Sequence, residues 1–139
     1  IFHQKITILP HPHKGWMNPN AIGIHSKEAK DLFSRTLTVG VTHGDMHLGN
    51  VIIDPEKPDF VKAILDFEET GNDLLIVDLA RSILGVCYSK DKNHLMSELA
   101  KAEIDGYESI KKLDEEEKIL LPQAIKYASE ACIKWVIKN

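Results

Sequence analysis

Nothing in these 139 residues approaches the run of about 18 apolar side chains that a helical membrane span requires. No secretory signal stands at the start. A formal net charge of −4, with no cluster of Lys and Arg, excludes a general nucleic-acid or polyanion binder. Cysteine is scarce as well. Cys87 and Cys132 lie singly in apolar, helix-like stretches, and they read as two buried thiols of a cytoplasmic protein rather than a disulfide. Internal repeats and low-complexity segments are missing. What remains is ordinary for a soluble globular chain, at 43% hydrophobic and 27% charged residues. The length suits one domain, or part of one, with a real core. The first residue is Ile rather than Met, which suggests a fragment or a processed chain.

Residues 1–26 read as an irregular leader, with Pro10, Pro12 and Pro19 among Gly and Asn breakers. Pro10-His-Pro-His13 resembles a metal tract, but prolines fix the backbone without aiming both imidazoles at one point. Ser26 is the expected cap of a helix over 27–36. Three short β-branched runs follow, at 37–41, 51–53 and 61–65, with a turn over 54–58. The second and third runs form an expected hairpin whose open end brings Asn50 beside Asp66. Beyond it the chain is helical in character. A helix over 73–88 is apolar on most sides, with Asp73 as its expected N-cap. A second helix carries Leu95, Met96, Leu99, Ala102 and Ile104 inward and ends near Gly106. Asp114 and Glu117 have the spacing of a capping box. The final helix is expected to turn Ile119, Leu120, Ala124, Ala128, Ala131, Cys132 and Trp135 inward, with a break or kink at Pro122.

The chemistry is concentrated in Val41-Thr-His-Gly-Asp-Met-His-Leu-Gly-Asn-Val51 and in Leu65-Asp-Phe-Glu68. Two readings compete. His43 and His47 with Asp45 between them offer a ligand set that zinc or iron accepts, as in a metallohydrolase. Against this, the other histidines form no second constellation. Phosphoryl transfer uses more of the residues. It needs a carboxylate for the proton of the acceptor hydroxyl, and oxygen ligands for Mg²⁺. Asp45 supplies the first, and Asn50 and Asp66 the second.

The spacing His43-Gly-Asp45-x4-Asn50, then Leu65-Asp-Phe-Glu68, then Asp73-x4-Asp78-Leu-Ala80 resembles the C-terminal lobe of the aminoglycoside phosphotransferase and choline kinase family. These are small-molecule kinases with a protein-kinase-like fold. The specific motifs cover about 41–90. Gly106-Tyr107, Leu113-x3-Glu117 and Leu121-Pro122 resemble the tail of its homoserine kinase branch. The resemblance implies that Asp45 is the catalytic aspartate and that Asn50 and Asp66 hold Mg²⁺ against ATP. It implies that His43 supports the loop and that Asp78 hydrogen-bonds it. An acid within an apolar helix needs such a partner on physical grounds too, since burying it unpaired is costly. Glu68 replaces the glycine of the protein-kinase Asp-Phe-Gly, as acidic residues do in the small-molecule branch. His47 and Glu68 would lie on the substrate side.

A kinase also needs a phosphate-covering Gly-rich loop and a strand lysine with its acidic partner. Neither is visible in the sequence. The expected fold is therefore α+β, predominantly α: a kinase-like C-lobe with its N-lobe absent. It divides into the leader, the loops over 41–70 and a helical substrate-side subdomain over 73–139. The expected function is transfer of phosphate from ATP to a small-molecule hydroxyl, with little turnover by the chain alone and some self-association. A catalytically dead interaction module is the reading from another class.

Overall fold

The computed structural model describes residues 26–89, 91 and 93–138. The leader over 1–25, with its Pro-His tract, lies outside the described residues, as does the side chain of Trp135. Among the described residues the architecture is mixed and mostly helical, with three two-stranded antiparallel sheets.

The first helix, α1 (Lys27–Ser34), starts where Ser26 accepts from the Ala29 N–H at 3.2 Å. The same hydroxyl donates to Glu130 at 3.0 Å, so the cap also ties α1 to the last helix. Ala29 and Leu32 are fully buried, and Phe33 meets Tyr127 edge-on with ring centroids 5.2 Å apart.

Strand β1 (Val39–Thr42) leads into the His43 loop. A single 3₁₀ turn, Leu48–Asn50, then enters the hairpin of β2 (Val51–Asp54) and β3 (Lys57–Ile64). This hairpin has the expected pairing, with Val51 opposite Ile64 at its open end. Its turn is tighter than expected, because Lys57 and Pro58 already belong to β3. The register shifts twice, on either side of Ile53.

Strand β4 (Gly71–Leu74) was not expected. It pairs with β1, Val39 opposite Leu74 and Thr42 opposite Gly71. Asp73 therefore sits in a strand opposite Gly40 and is not the cap of the following helix. Its carboxylate accepts from the Leu74 N–H at 2.7 Å, and α2 (Leu75–Cys87) begins without a side-chain cap. The helix is held by burial: Ile76, Val77, Ala80, Ile83 and Cys87 are fully enclosed.

After a small ladder of β5 (Tyr88–Ser89) and β6 (His94–Leu95) comes α3 (Ser97–Ile110). It passes through Gly106 instead of ending there. That glycine faces open space, so it costs the helix only its intrinsic ~1 kcal/mol. The face that packs on the core is Ala100, Ile104 and Tyr107, one helical stripe, whereas Leu99 and Ala102 are exposed.

The last helix, α4 (Glu115–Lys138), opens on the expected capping box. Glu117 N–H donates to Asp114 at 2.7 Å, and Asp114 N–H donates back at 3.1 Å. Glu117 is also buried, and accepts from the Thr38 N–H at 3.3 Å, which anchors α4 to the segment before β1. Pro122 does not break the helix. The missing donor and the ring clash cost roughly 3 kcal/mol. Leu120, Leu121 and Ala124 are buried around it, and each large side chain so buried returns about 1.5–3 kcal/mol. Ile119 and Cys132 are exposed, against expectation, so of the two free thiols only Cys87 is buried. Helices α2 and α4 pack along each other, and Ala80, Ala124, Ala128 and Ala131 form part of the core between the elements.

Candidate active site

The loop after β1 is built by helix α2. Its Asp78 carboxylate accepts two backbone N–H groups, from His43 at 2.9 Å and from Gly44 at 2.8 Å. One carboxylate thus fixes two consecutive peptide units. Gly44 has φ 84, and a Cβ there would stand 2.4 Å from the Glu69 carbonyl oxygen. The position needs glycine for both reasons. Further along α2, a Cβ on Gly85 would stand 2.6 Å from the Met46 carbonyl oxygen. The helix can lie this close to the loop because Gly85 has no side chain.

His43 is nearly buried and both its ring nitrogens are engaged. Nδ1 accepts from the Asp45 N–H at 3.2 Å, so Nε2 carries the proton and donates to the Leu65 carbonyl at 2.9 Å. Phe67 lies against the ring, with centroids 4.8 Å apart. The imidazole therefore joins the start of the loop to the segment that carries Asp66, and it has no lone pair left for a metal. His47 likewise accepts from the Gly49 N–H through Nδ1 at 3.0 Å.

Asn50 is buried and closes the loop. Its side-chain Nδ2 donates to the Asp45 carbonyl at 2.9 Å, and its own carbonyl accepts from Leu65 N–H at 2.8 Å. The second bond lies at the mouth of the hairpin, and Asp66 is the next residue after Leu65. Asp66 is exposed and has φ 63, a left-handed conformation that is uncommon outside glycine but tolerated best by Asp and Asn. Asn50 keeps its side-chain oxygen as an acceptor, and Asp66 adds a carboxylate. Two hard oxygen donors suit Mg²⁺, which takes one or two protein oxygens together with phosphates and water. Among the described residues no three His, Cys, Asp or Glu side chains are grouped to hold a metal by themselves.

Asp45 faces a cavity of about 400 Å³ whose wall also includes His47, Glu68, Glu69 and Arg81, with Cys132 and Val136 from α4. One oxygen of Asp45 accepts from Arg81 Nη2 at 2.9 Å, and the other lies 3.7 Å from His47 Nε2. The sequence reading missed Arg81. The signal was present: Arg81 follows Asp78 by three residues in a largely apolar helix, and the need for a partner applied to it equally. The buried thiol of Cys87 is no nucleophile. Burial, then its hydrogen bond to Glu103, pushes it up to about 12.

This loop geometry and its sequence have counterparts elsewhere. The pattern of the phosphotransferase enzyme family matches residues 19–113, which is more than half of the chain and includes the whole loop, the hairpin and α2. The chain belongs to the aminoglycoside phosphotransferase family. Within that family it is similar to homoserine kinases. That of Methylobacillus glycogenes is 32% identical over 92 residues, covering 66% of this chain and 28% of the relative. That of Mesorhizobium japonicum is 33% identical over 88 residues, covering 63% and 26%. That of Bradyrhizobium diazoefficiens is 27% identical over 113 residues, covering 78% and 33%. The chain thus spans between a quarter and a third of the length of these relatives. Among the described residues no helix is long and apolar enough to cross a membrane.

Proposed function

We propose that this chain carries the catalytic and magnesium loops of a small-molecule kinase, which moves the γ-phosphate of ATP onto an acceptor hydroxyl. The observation that carries this reading is the double role of Asn50. Its side chain holds the Asp45 backbone while its carbonyl receives Leu65, so the two loops meet as one site. Asp45 is the group that orients the acceptor hydroxyl and takes its proton. Asn50 and Asp66 would hold Mg²⁺, which supplies positive charge against the phosphates. His43 and Asp78 support the loop, and His47 and Glu68 face the acceptor. The relatives named homoserine kinase make a homoserine-like hydroxy amino acid the first acceptor to try, ahead of choline-like alcohols and aminoglycosides.

The nucleotide clamp of a kinase belongs, on this reading, to the part of the relatives' length that these 139 residues do not span. Phosphoryl transfer relies on positioning and preorganised charge, so the chain alone should turn over little. Val39, Val41, Ile52, Ile53, Phe60 and Val61 are exposed on β1 and the hairpin, an apolar surface on which isolated copies would associate.

Thermal melting with ATP tests the site. A Mg²⁺-dependent rise in Tm is expected for the wild type and is absent in Asp66→Ala, because a ligand that binds only the folded state raises its stability. A rise with Zn²⁺ alone, lost in His43→Ala and His47→Ala, would favour the metallohydrolase. The engaged nitrogens of His43 oppose that outcome. No response to either ligand would favour the interaction module.

A further inference from the structure

Three positions on one face of α2 meet the loop at successive turns. Asp78 holds its backbone, Gly85 admits it to close range, and Arg81 between them reaches the side chain of Asp45. The Arg81 side chain is only 10% exposed, against 38% for Asp45. Its Nη2 is bound to Asp45 Oδ1, while its Nη1 is buried with no hydrogen-bond partner among the described residues. A guanidinium left partly unsatisfied in a buried position is a poor device for stability, because desolvation opposes the gain from the ion pair. Function accounts for it better. A planar cation that is itself packed in place can fix the torsions of a carboxylate it binds through one oxygen.

We propose that Arg81 is a positioning residue: it holds Asp45 by Oδ1 and thereby turns Oδ2 toward the acceptor hydroxyl in the cavity. The proposal rests on the phosphotransfer reading above. Oδ2 is the oxygen left for the hydroxyl, with His47 Nε2 3.7 Å away and Glu68 and Glu69 on the same cavity wall. No bond to Arg81 changes during the reaction. The acceptor proton passes to Asp45, and the hydroxyl oxygen bonds to the transferred phosphorus as the bond to ADP breaks.

The protein as its gene encodes it is assayed for phosphate transfer with Arg81→Gln and Arg81→Lys, beside the wild type and Asp45→Asn. Arg81→Gln should lower kcat roughly 10- to 100-fold, the scale of a misplaced reacting group, with both KM values within about threefold of wild type. Arg81→Lys should recover part of the loss. A wild type with neither phosphate transfer nor the Mg²⁺-dependent rise in Tm with ATP rejects the phosphotransfer reading itself. An active wild type with full kcat in Arg81→Gln rejects the role of Arg81 alone. A raised acceptor KM at unchanged kcat also overturns it, and makes Arg81 an acceptor-binding group. Nitrogen-15 NMR of the arginine side chains checks the geometry without catalysis. Separate Arg81 Nη signals that merge in Asp45→Asn support a rigid ion pair, and merged signals in the wild type overturn it.

Discussion

Around α2 and α4 the chain encloses Ile76, Val77, Ile83, Ala124, Tyr127 and Ala128 completely, by apolar contact that has no preferred direction. Around residues 41–67 it does nearly the reverse. Ile52, Ile53, Phe60, Val61, Ile64 and Phe67 stay exposed, while the buried groups are polar: Thr42, His43 and Asn50. Hydrogen bonds are directional and lose strength quickly off axis, so the second region gains defined positions where the first gains stability. The two meet at Asp78 and Arg81, the charged residues of a largely apolar helix. Damage to the core should therefore lower everything together, and damage to the polar clamp should disable the loop while the helices survive.

Ile83→Ala makes the largest change on the core side. It should cost about 2–5 kcal/mol, measured by urea unfolding, with helical signal and loop protection lost in one transition. A loop that melts separately would break the contrast as drawn. Asp78→Ala, on the polar side, should cost about 2–4 kcal/mol, because two charge-assisted hydrogen bonds disappear. Hydrogen exchange at the His43 and Gly44 amides should accelerate while helical circular dichroism is kept. The smallest effect has the opposite sign. Asp66→Gly relieves the left-handed backbone and should stabilise the fold by about 1 kcal/mol, yet remove the Mg²⁺-dependent shift with ATP. A destabilised Asp66→Gly would mean that the carboxylate is held by the fold rather than kept for a ligand.

Sequence was informative where a local pattern determined the outcome. Ser26 and the Asp114–Glu117 box name helix starts through chemistry within three residues, and the β-branched runs on either side of Pro55-Glu56 name a hairpin. It was uninformative where the partner is distant. Gly71-Asn-Asp-Leu74 has no β-branched residue, and it is a strand because β1 offers it an edge. Gly106 looked like a stop signal, but the stripe of Ala100, Ile104 and Tyr107 carries the helix past it. Cys132 and Ile119 are apolar residues in an apolar stretch, and only the placement of α4 against its neighbours leaves them outside. Within the site, the candidates came from the spacing of polar residues in the two loops. Arg81 signalled a need for some partner, but which one was hidden, because Asp45 lies 36 residues away.

The hairpin has one further consequence. Its register is set at the mouth, where Val51 faces Ile64 and Leu65 binds Asn50, while its turn at Pro55-Glu56 lies at the opposite end. The two irregular steps beside Ile53 lie between these ends and take up differences in strand length. The chemistry is thereby insulated from the turn. Residues gained or lost at the tip should lengthen or shorten an arm without moving its base, so this chain should accept changes at the tip more readily than at the base.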